Sequence, residues 1–290
     1  MLAVVIFARP AGYLEGMSKP VISPVLDVAA GGVAVDGPAG NPVVLHGVAK
    51  RFGRGRGAVA ALDDVSLSVP AGSFTAVLGV SGSGKTTLLQ CAAGLERPSS
   101  GMVSLCGEDL SRLSDRQRAL LRRQRVGFVF QELNLVPELT IGENIALPLR
   151  LDRQRVARAA VEQAAGRVGL REGQLGRLPS ELSGGQQQRA AIARALMTRP
   201  EVIFADEPTG ALDPYTAEGV MRLLRQAGAG TTVVIVTHQP EVTRFCDRAV
   251  FLYGGRIDAI VDLPDPAEVA ARLHALGARA SGEHGNGGGY

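Results

Sequence analysis

The chain has 290 residues, which is enough for one large domain or two smaller ones. Its hydrophobic content of 46% can fill a core, and the low aromatic content of 4% indicates aliphatic packing. The net charge of +3, from 31 basic and 28 acidic residues, lacks the basic excess of many nucleic-acid-binding proteins. Three scattered cysteines without CxxC spacing argue against a disulfide framework or a zinc site. We therefore expect a protein of a reducing compartment with no nucleic-acid partner.

The two ends of the chain carry no clear hydrophobic periodicity. Residues 1–41 are predicted to form a poorly structured extension, in which Met17 competes with Met1 as the start of translation. No apolar run reaches the roughly 18 residues of a membrane span, so we expect that the chain does not cross a membrane by itself. Residues 263–280 are predicted to form a C-terminal helix, and the glycine-rich residues 281–290 a disordered tail.

After the N-terminal extension, strand patterns come first. Val43–Val48 and Ala58–Val69 alternate apolar and polar residues on either side of the turn Arg54–Gly57, which predicts an antiparallel hairpin. Phe74–Gly79 is a short apolar run that ends in glycine, and Lys85–Ala93 continues as a predicted helix.

Three further apolar runs predict strands that are buried on both faces: Val126–Phe130, Val202–Ala205 and Val233–Val236. The region Glu132–Leu182, rich in Arg, Gln, Ala and Leu, is predicted to be mostly helical. Alternating strands and helices indicate an α/β fold with a parallel sheet, which binds its ligands beyond the carboxyl ends of the strands.

Residues 79–86, GVSGSGKT, match the phosphate-loop pattern G-x-x-x-x-G-K-[ST] between a predicted strand and a predicted helix. The glycines let backbone N–H groups face a phosphate, at the positive end of the following helix. Lys85 is predicted to reach the β- and γ-phosphates, and the Thr86 hydroxyl to ligate Mg²⁺. The alternative is a glycine-rich turn that contains Lys-Thr by chance. The predicted nucleotide-binding residues here are Gly79, Val80, Ser81, Gly82, Ser83, Gly84, Lys85, Thr86 and Thr87.

Two adjacent acids follow the predicted strand that begins at Val202. Asp206 is placed to hold Mg²⁺, and Glu207 to act as the general base that polarises an attacking water. Solvated acids at a strand end are the alternative, but a phosphate loop on the same sheet favours the functional interpretation. An intact Glu207 favours a hydrolase over a protein that only binds nucleotide.

Residues 182–189, LSGGQQQR, resemble the signature motif of ATP-binding cassette (ABC) proteins. In that family's order, Gln131 resembles the Q-loop glutamine, Asp213 lies in a string that resembles the D-loop, and His238 resembles the switch histidine. The resemblance covers about residues 42–262. It implies a P-loop NTPase core with a parallel sheet, an antiparallel β subdomain and an inserted helical subdomain at about 132–182.

The resemblance also implies a role for each of these residues. His238 would contact the γ-phosphate and the attacking water, Gln131 would contact Mg²⁺ or water, and Asp213 would take part in ATP binding. A lone histidine after a strand is more often structural, but the edge of the sheet favours the catalytic interpretation.

Ser183, Gly184 and Gly185 precede a predicted helix, Gln186–Met197, and leave a hydroxyl and free N–H groups at its positive end. Alone, such a motif is commonly just a helix cap. In the ABC family it faces the γ-phosphate of a second subunit, so a symmetric dimer with two sandwiched ATP molecules is implied.

Phe52 takes the place of the family's adenine-stacking aromatic; alternatively it packs beneath the hairpin. The preference for ATP over GTP rests mainly on the resemblance.

Residues 130–140 (FQELNLVPELT), 143–149 (ENIALPL) and 179–186 (PSELSGGQ) resemble the branch of the family that serves lipoprotein release and macrolide export. The chain is therefore interpreted as an ATP-hydrolysing subunit that drives a separate membrane permease and lies on the cytoplasmic face of the membrane through it. Leu133–Leu149 would line the groove for a permease helix, unless its leucines only fill a core.

An ATP-dependent scaffold or signalling cassette is the alternative function. An ATPase acting on DNA or ribosomes fits less well, because the insertion is short, holds no cysteine, and each motif occurs once.

Overall fold

The structure, a computed structural model, describes residues 22–23, 40–53 and 55–285. Over these residues the chain forms eleven strands and seven α-helices. The strands are β1 (Ile22–Ser23), β2 (Val43–Phe52), β3 (Val59–Val69), β4 (Phe74–Leu78), β5 (Ser100–Leu105), β6 (Glu108–Asp109), β7 (Val126–Val129), β8 (Val202–Asp206), β9 (Thr232–Val236), β10 (Arg248–Tyr253) and β11 (Arg256–Asp262). The helices are α1 (Lys85–Ala92), α2 (Asp115–Arg125), α3 (Ile141–Leu151), α4 (Arg158–Arg167), α5 (Gly184–Leu196), α6 (Pro214–Ala227) and α7 (Pro266–Gly285).

The central sheet has the strand order β1-β11-β10-β4-β9-β8-β7. From β10 to β7 neighbouring strands run parallel, whereas β11 is antiparallel to β10 and β1 to β11. The predicted α/β class with a parallel sheet is therefore confirmed. The sequence analysis missed β10 and β11, although the Gly-Gly dipeptide at 254–255 that joins them is a hairpin signal.

A second, antiparallel sheet has the order β3-β2-β5-β6. The predicted hairpin is its β2–β3 pair, in which Val43 lies opposite Val69 and Phe52 opposite Val59. Its apolar side chains form one cluster with α1 and one face of the central sheet, and a second cluster covers the other face. The predicted β subdomain thus packs beside the strand that leads into the phosphate loop.

Strand β4 shows why the core lies on both sides of the central sheet. Its five residues are all buried. Phe74 and Leu78 point into one apolar cluster and Val77 into the other, as the alternation of side chains along a strand requires. Asp247 fixes the start of this strand, because its carboxylate accepts from the Phe74 N–H at 2.8 Å and from the guanidinium of Arg225. Burial favours the neutral acid, but these hydrogen bonds outweigh it and hold the pKa of Asp247 below its usual value.

The region 132–182 is less helical than predicted. It contains α3 and α4, and the rest is irregular chain with short 3₁₀ turns. The buried Asn144 explains how the loop before α3 is ordered without a helix: its side chain bonds to Val136 N, Val136 O and Leu139 O. Such side-chain bonds give the backbone an alternative to helical hydrogen bonds.

The predictions for the chain ends need correction. Ile22–Ser23 pair with β11 inside the extension that was predicted to be poorly structured, because the edge of the sheet offers free backbone groups there. Helix α7 ends at Gly285, so the predicted disordered tail is wrong for 281–285. Extending an existing helix needs no new nucleation, and the Ser281 hydroxyl donates to Gly277 O within it. The remainder of both predicted end segments lies outside the described residues. Among the described helices, none has the length and apolarity that crossing a membrane requires.

Candidate functional site

Four neighbouring parallel strands end at the same edge of the central sheet and carry the predicted catalytic residues. The phosphate loop follows β4, His238 follows β9, Asp206 ends β8 with Glu207 directly after it, and Gln131 follows β7. Residues that are far apart in sequence therefore meet at one place, where the sequence predicted a ligand.

The phosphate loop approaches other backbone segments so closely that two of its glycines cannot carry a side chain. A Cβ at Gly79 would lie 2.3 Å from Leu252 O, and a Cβ at Gly84 would lie 2.2 Å from Ala61 O. Gly84 also has a φ of +102°. Gly82 has a φ of +75°, but a Cβ there would meet nothing within 4 Å. The loop is thus a cradle shaped by glycine, as a phosphate-binding turn requires.

Lys85, the first residue of α1, points back into this cradle. Its Nζ donates to Gly79 O at 2.9 Å and to Val80 O at 3.0 Å. Burial lowers the pKa of Lys85, and the carboxylates of Glu207 and Asp206 partly oppose that effect. An ammonium group held only by neutral carbonyls can exchange them for phosphate oxygens, which bind it more strongly.

Asp206 and the phosphate loop supply the ligand types of a magnesium site. Burial raises the pKa of Asp206, the Glu207 carboxylate raises it further, and Lys85 opposes both. Thr86 is exposed at the start of α1. A carboxylate and a hydroxyl are hard oxygen donors that suit Mg²⁺, and crowded acids gain from a bound cation. The residues present therefore fit Mg²⁺.

Glu207 adopts an unusual backbone conformation directly after β8, with a φ of +44°. Its N–H donates to Val236 O at 2.9 Å, so the sheet pairing continues to this residue. The carboxylate Oε1 lies 2.8 Å from His238 Nδ1, and Oε2 accepts from the Thr237 hydroxyl at 3.1 Å. Because an ionised carboxylate can only accept, the Nδ1 of His238 carries the proton in this pair. A left-handed residue that is not glycine, held in this way, is typical of functional sites.

His238 and Gln131, the other two predicted residues at this edge, are both exposed. The side chain of His238 is 67% exposed, with Nε2 left for a further partner. Gln131 is exposed as well. Its Nε2 lies 3.7 Å from the position that a Cβ of Gly210 would take, and thus over the turn that follows Glu207.

The signature residues and the D-loop aspartate form a second cluster, at the starts of α5 and α6. Ser183 caps α5, with Gln186 N donating to its Oγ at 3.4 Å, and the Asp213 carboxylate accepts from Thr216 N at 3.1 Å. That hydrogen bonding lowers the pKa of Asp213. A Cβ at Gly185 would lie 2.7 Å from Thr216 Cγ2, so the two caps adjoin. None of the hydrogen bonds of the described residues joins Ser183 or Asp213 to the phosphate loop.

Phe52 lies at the end of β2. The residue is 43% exposed, and the Lys50 ammonium lies over its ring, 4.8 Å from the centroid. This exposure favours the stacking interpretation over packing beneath the hairpin, and stacking on an adenine stays a prediction.

Comparisons with known proteins decide between the families that share a phosphate loop. The family model described as ABC transporter matches residues 62–210, just over half of the chain. The chain belongs to the ABC transporter family. Relatives at 43% identity are named for macrolide export and lipoprotein release, the branch that its motifs predicted.

The relatives include an ATP-binding protein of similar length and longer proteins whose names add a permease. The lipoprotein-releasing system ATP-binding protein LolD of Pseudomonas syringae is 43% identical over 212 residues, 72% of this chain and 93% of LolD. The macrolide export ATP-binding/permease protein MacB of Nitrosomonas europaea is 43% identical over 241 residues, 80% of this chain. The chain spans only about a third of the length of the MacB relatives, 36% in this case.

A solved structure confirms the ABC cassette fold. The dimeric ATP-binding cassette MJ0796, in a post-hydrolysis state bound to ADP and Pi, is 39% identical and superimposes with a TM-score of 0.71. The match covers 77% of this chain and 99% of that protein.

The sequence analysis did not single out two further polar residues at this sheet edge, Thr237 and Gln239. Thr237 bonds to Glu207, and Gln239 Oε1 accepts from the Thr209 hydroxyl at 2.8 Å. The available signal was a polar residue at the end of an otherwise apolar buried strand, next to the predicted catalytic histidine.

The contrast between Gly84 and Gly82 yields a stability prediction. Gly84→Ala places a methyl group against the Ala61 carbonyl and should lower the free energy of unfolding by about 3 kcal/mol or more. Gly82→Ala meets open space and should cost only about 1 kcal/mol, for the left-handed backbone. Urea titrations of both variants and the wild type measure the difference. Equal stability of the two variants would contradict the close approach of residues 84 and 61.

Proposed function

We propose that this chain hydrolyses ATP with Mg²⁺ as an ATP-sandwich dimer and thereby drives a membrane permease of the lipoprotein-release or macrolide-export kind. The observation that carries the proposal is the Glu207 carboxylate, which is held by Thr237 and His238 at the same sheet edge as the phosphate loop. A fixed carboxylate beside a phosphate site is what the activation of a water molecule requires.

Different residues of the chain would bind the phosphates and activate the attacking water. The ammonium of Lys85 would leave the carbonyls of Gly79 and Val80 for the phosphate oxygens of ATP, and the loop N–H groups would bind the remaining charge. Glu207 would accept a proton from the attacking water, and His238 would orient that water and the γ-phosphate through its exposed ring.

Thr86, Asp206 and Gln131 would hold the metal. Mg²⁺ supplies charge neutralisation on the β- and γ-phosphates when it is bound. The raised pKa of Asp206, which follows from its burial and the nearby Glu207, supports a cation at this position, because a cation relieves the crowding of negative charge.

Ser183, Gly184, Gly185 and Asp213 would complete the site of a second copy of the chain. They lie at the exposed starts of α5 and α6. The start of α5, with its free N–H groups, is suited to an anion. Dimeric structures of the related cassette MJ0796 support this arrangement. Phe52, which is partly exposed, would stack on the adenine.

The permease would contact a groove of about 390 Å³ between α2, β7, α3 and α5. Residues of the predicted segment 133–149, among them Leu147 and Pro148, line it together with Phe128 and Leu151. The MacB relatives are ATP-binding/permease proteins, which supports a permease as the partner of this cassette. The chain would then lie on the inner face of the cell membrane through that partner.

Mixing two inactive variants tests the shared site. Ser183→Arg blocks the second anion site, and Lys85→Ala removes the cation of the phosphate loop, so each variant alone should hydrolyse almost no ATP. A mixed dimer contains one intact site, with the phosphate loop of one copy and the signature residues of the other. Random pairing should therefore restore about a quarter of the wild-type rate of phosphate release. A mixture no faster than its two components would overturn the shared site.

A further inference from the structure

We propose that Thr237 is a positioning residue for ATP hydrolysis: its hydroxyl orients the Glu207 carboxylate that accepts the proton of water. The inference rests on the proposed function and deepens it. Thr237 lies directly before His238, so two consecutive residues hold the two oxygens of one carboxylate. The Thr237 hydroxyl lies 3.1 Å from Oε2, and His238 Nδ1 lies 2.8 Å from Oε1.

The direction of the hydroxyl proton follows from its neighbours. The backbone N–H of Gln239 donates to Thr237 Oγ1 at 3.1 Å, which occupies the acceptor side of the hydroxyl. The Glu207 carboxylate can only accept. The hydroxyl must therefore donate to Glu207. Thr237 is 0% exposed, so bulk water does not compete for that bond.

Thr237 also connects the base to the strand that carries the phosphate loop. Its N–H donates to Val77 O, in β4, at 3.1 Å. The hydroxyl of Thr209, in the turn after Glu207, donates to Gln239 Oε1 at 2.8 Å. This second bond also joins the Glu207 turn to the segment that contains Thr237. Thr237, directly after β9, therefore fixes the position of the Glu207 carboxylate relative to the strand that leads into the phosphate loop.

The glutamate side chain needs such a partner because it has three rotatable bonds. His238 is largely exposed and would turn toward the nucleotide, so it cannot hold the carboxylate alone throughout the reaction. Thr237 is buried and its backbone is paired, so its hydroxyl stays in place. A misplacement of about 1 Å in a reacting group costs rate far more than it costs binding.

Thr237→Val removes the hydroxyl and keeps the branched shape. We expect kcat for ATP hydrolysis to fall about 10-fold, with KM for ATP within about twofold of wild type, because a hydrogen bond to a charged group is lost. Thr237→Ser restores the hydroxyl and should restore most of kcat. Thr243→Val is the matched control: Thr243 is also buried, and its hydroxyl donates to Pro240 O at 2.6 Å, away from Glu207. That control should keep the wild-type kcat.

A double variant distinguishes the positioning of Glu207 from a general disruption of the active site. In a Glu207→Gln background the residual turnover should not fall further when Thr237→Val is added, because both changes act on one group. An unchanged kcat in Thr237→Val, or an equal fall in Thr237→Ser, would overturn the role of the hydroxyl. If Thr237→Val does not fold, Thr237→Ala against Thr237→Ser makes the same comparison. Normal turnover in Glu207→Gln alone would instead overturn the proposed function itself.

Discussion

Replacing Glu207 with glutamine is expected to lower kcat for ATP hydrolysis about 100- to 10,000-fold while ATP binding is retained. Glutamine has the shape of glutamate, and its amide oxygen can still accept from the Thr237 hydroxyl. It cannot take a proton from water. Lys85 and the glycine cradle are unchanged, so the nucleotide should still bind and the ATP-bound dimer should accumulate.

Two measurements check this expectation. Phosphate release gives the turnover, and size-exclusion chromatography with MgATP gives the fraction of dimer. Glu241→Gln is the matched control, since Glu241 is an exposed acid in the turn after His238 and should tolerate the change without loss of turnover. Turnover near the wild-type rate in Glu207→Gln would show that Glu207 is not the general base.

Lys85→Ala is expected to weaken ATP binding at least about 100-fold and to remove turnover with it. The Lys85 ammonium would exchange the carbonyls of Gly79 and Val80 for phosphate oxygens, and its loss removes two or more charge-assisted hydrogen bonds at about 1.5–3 kcal/mol each. The effect differs in kind from that of Glu207→Gln, because binding and chemistry are lost together.

Isothermal titration with ATP and Mg²⁺ measures this loss directly. Arg222→Ala serves as control: Arg222 is an exposed cation that pairs with Glu218 on α6, and its removal should leave the affinity unchanged. Thermal unfolding of Lys85→Ala should show that the fold persists. Wild-type affinity in this variant would place the nucleotide away from the 79–86 loop.

Local pattern explains which parts of the fold were predictable. The runs that became β4, β7, β8 and β9 are apolar on both faces, and a strand of that kind is visible in a short window of sequence. The capped start of α5 at Ser183 was also visible in a short window, because a cap depends on a few adjacent residues. In the region 132–182 the composition indicated helix throughout, but Asn144 orders part of the chain by side-chain bonds that no helical periodicity displays.

The phosphate loop, the paired acids and the signature motif were determined by the sequence alone, because each depends on a few adjacent residues of fixed chemical type. Only the tertiary structure decided how these parts combine. Leu252 O lies against Gly79, and Thr237 and His238, which follow the neighbouring strand β9, hold Glu207. The physical reason is that strand order and close backbone approach arise from packing between distant segments, whereas the local sequence records only what each segment buries.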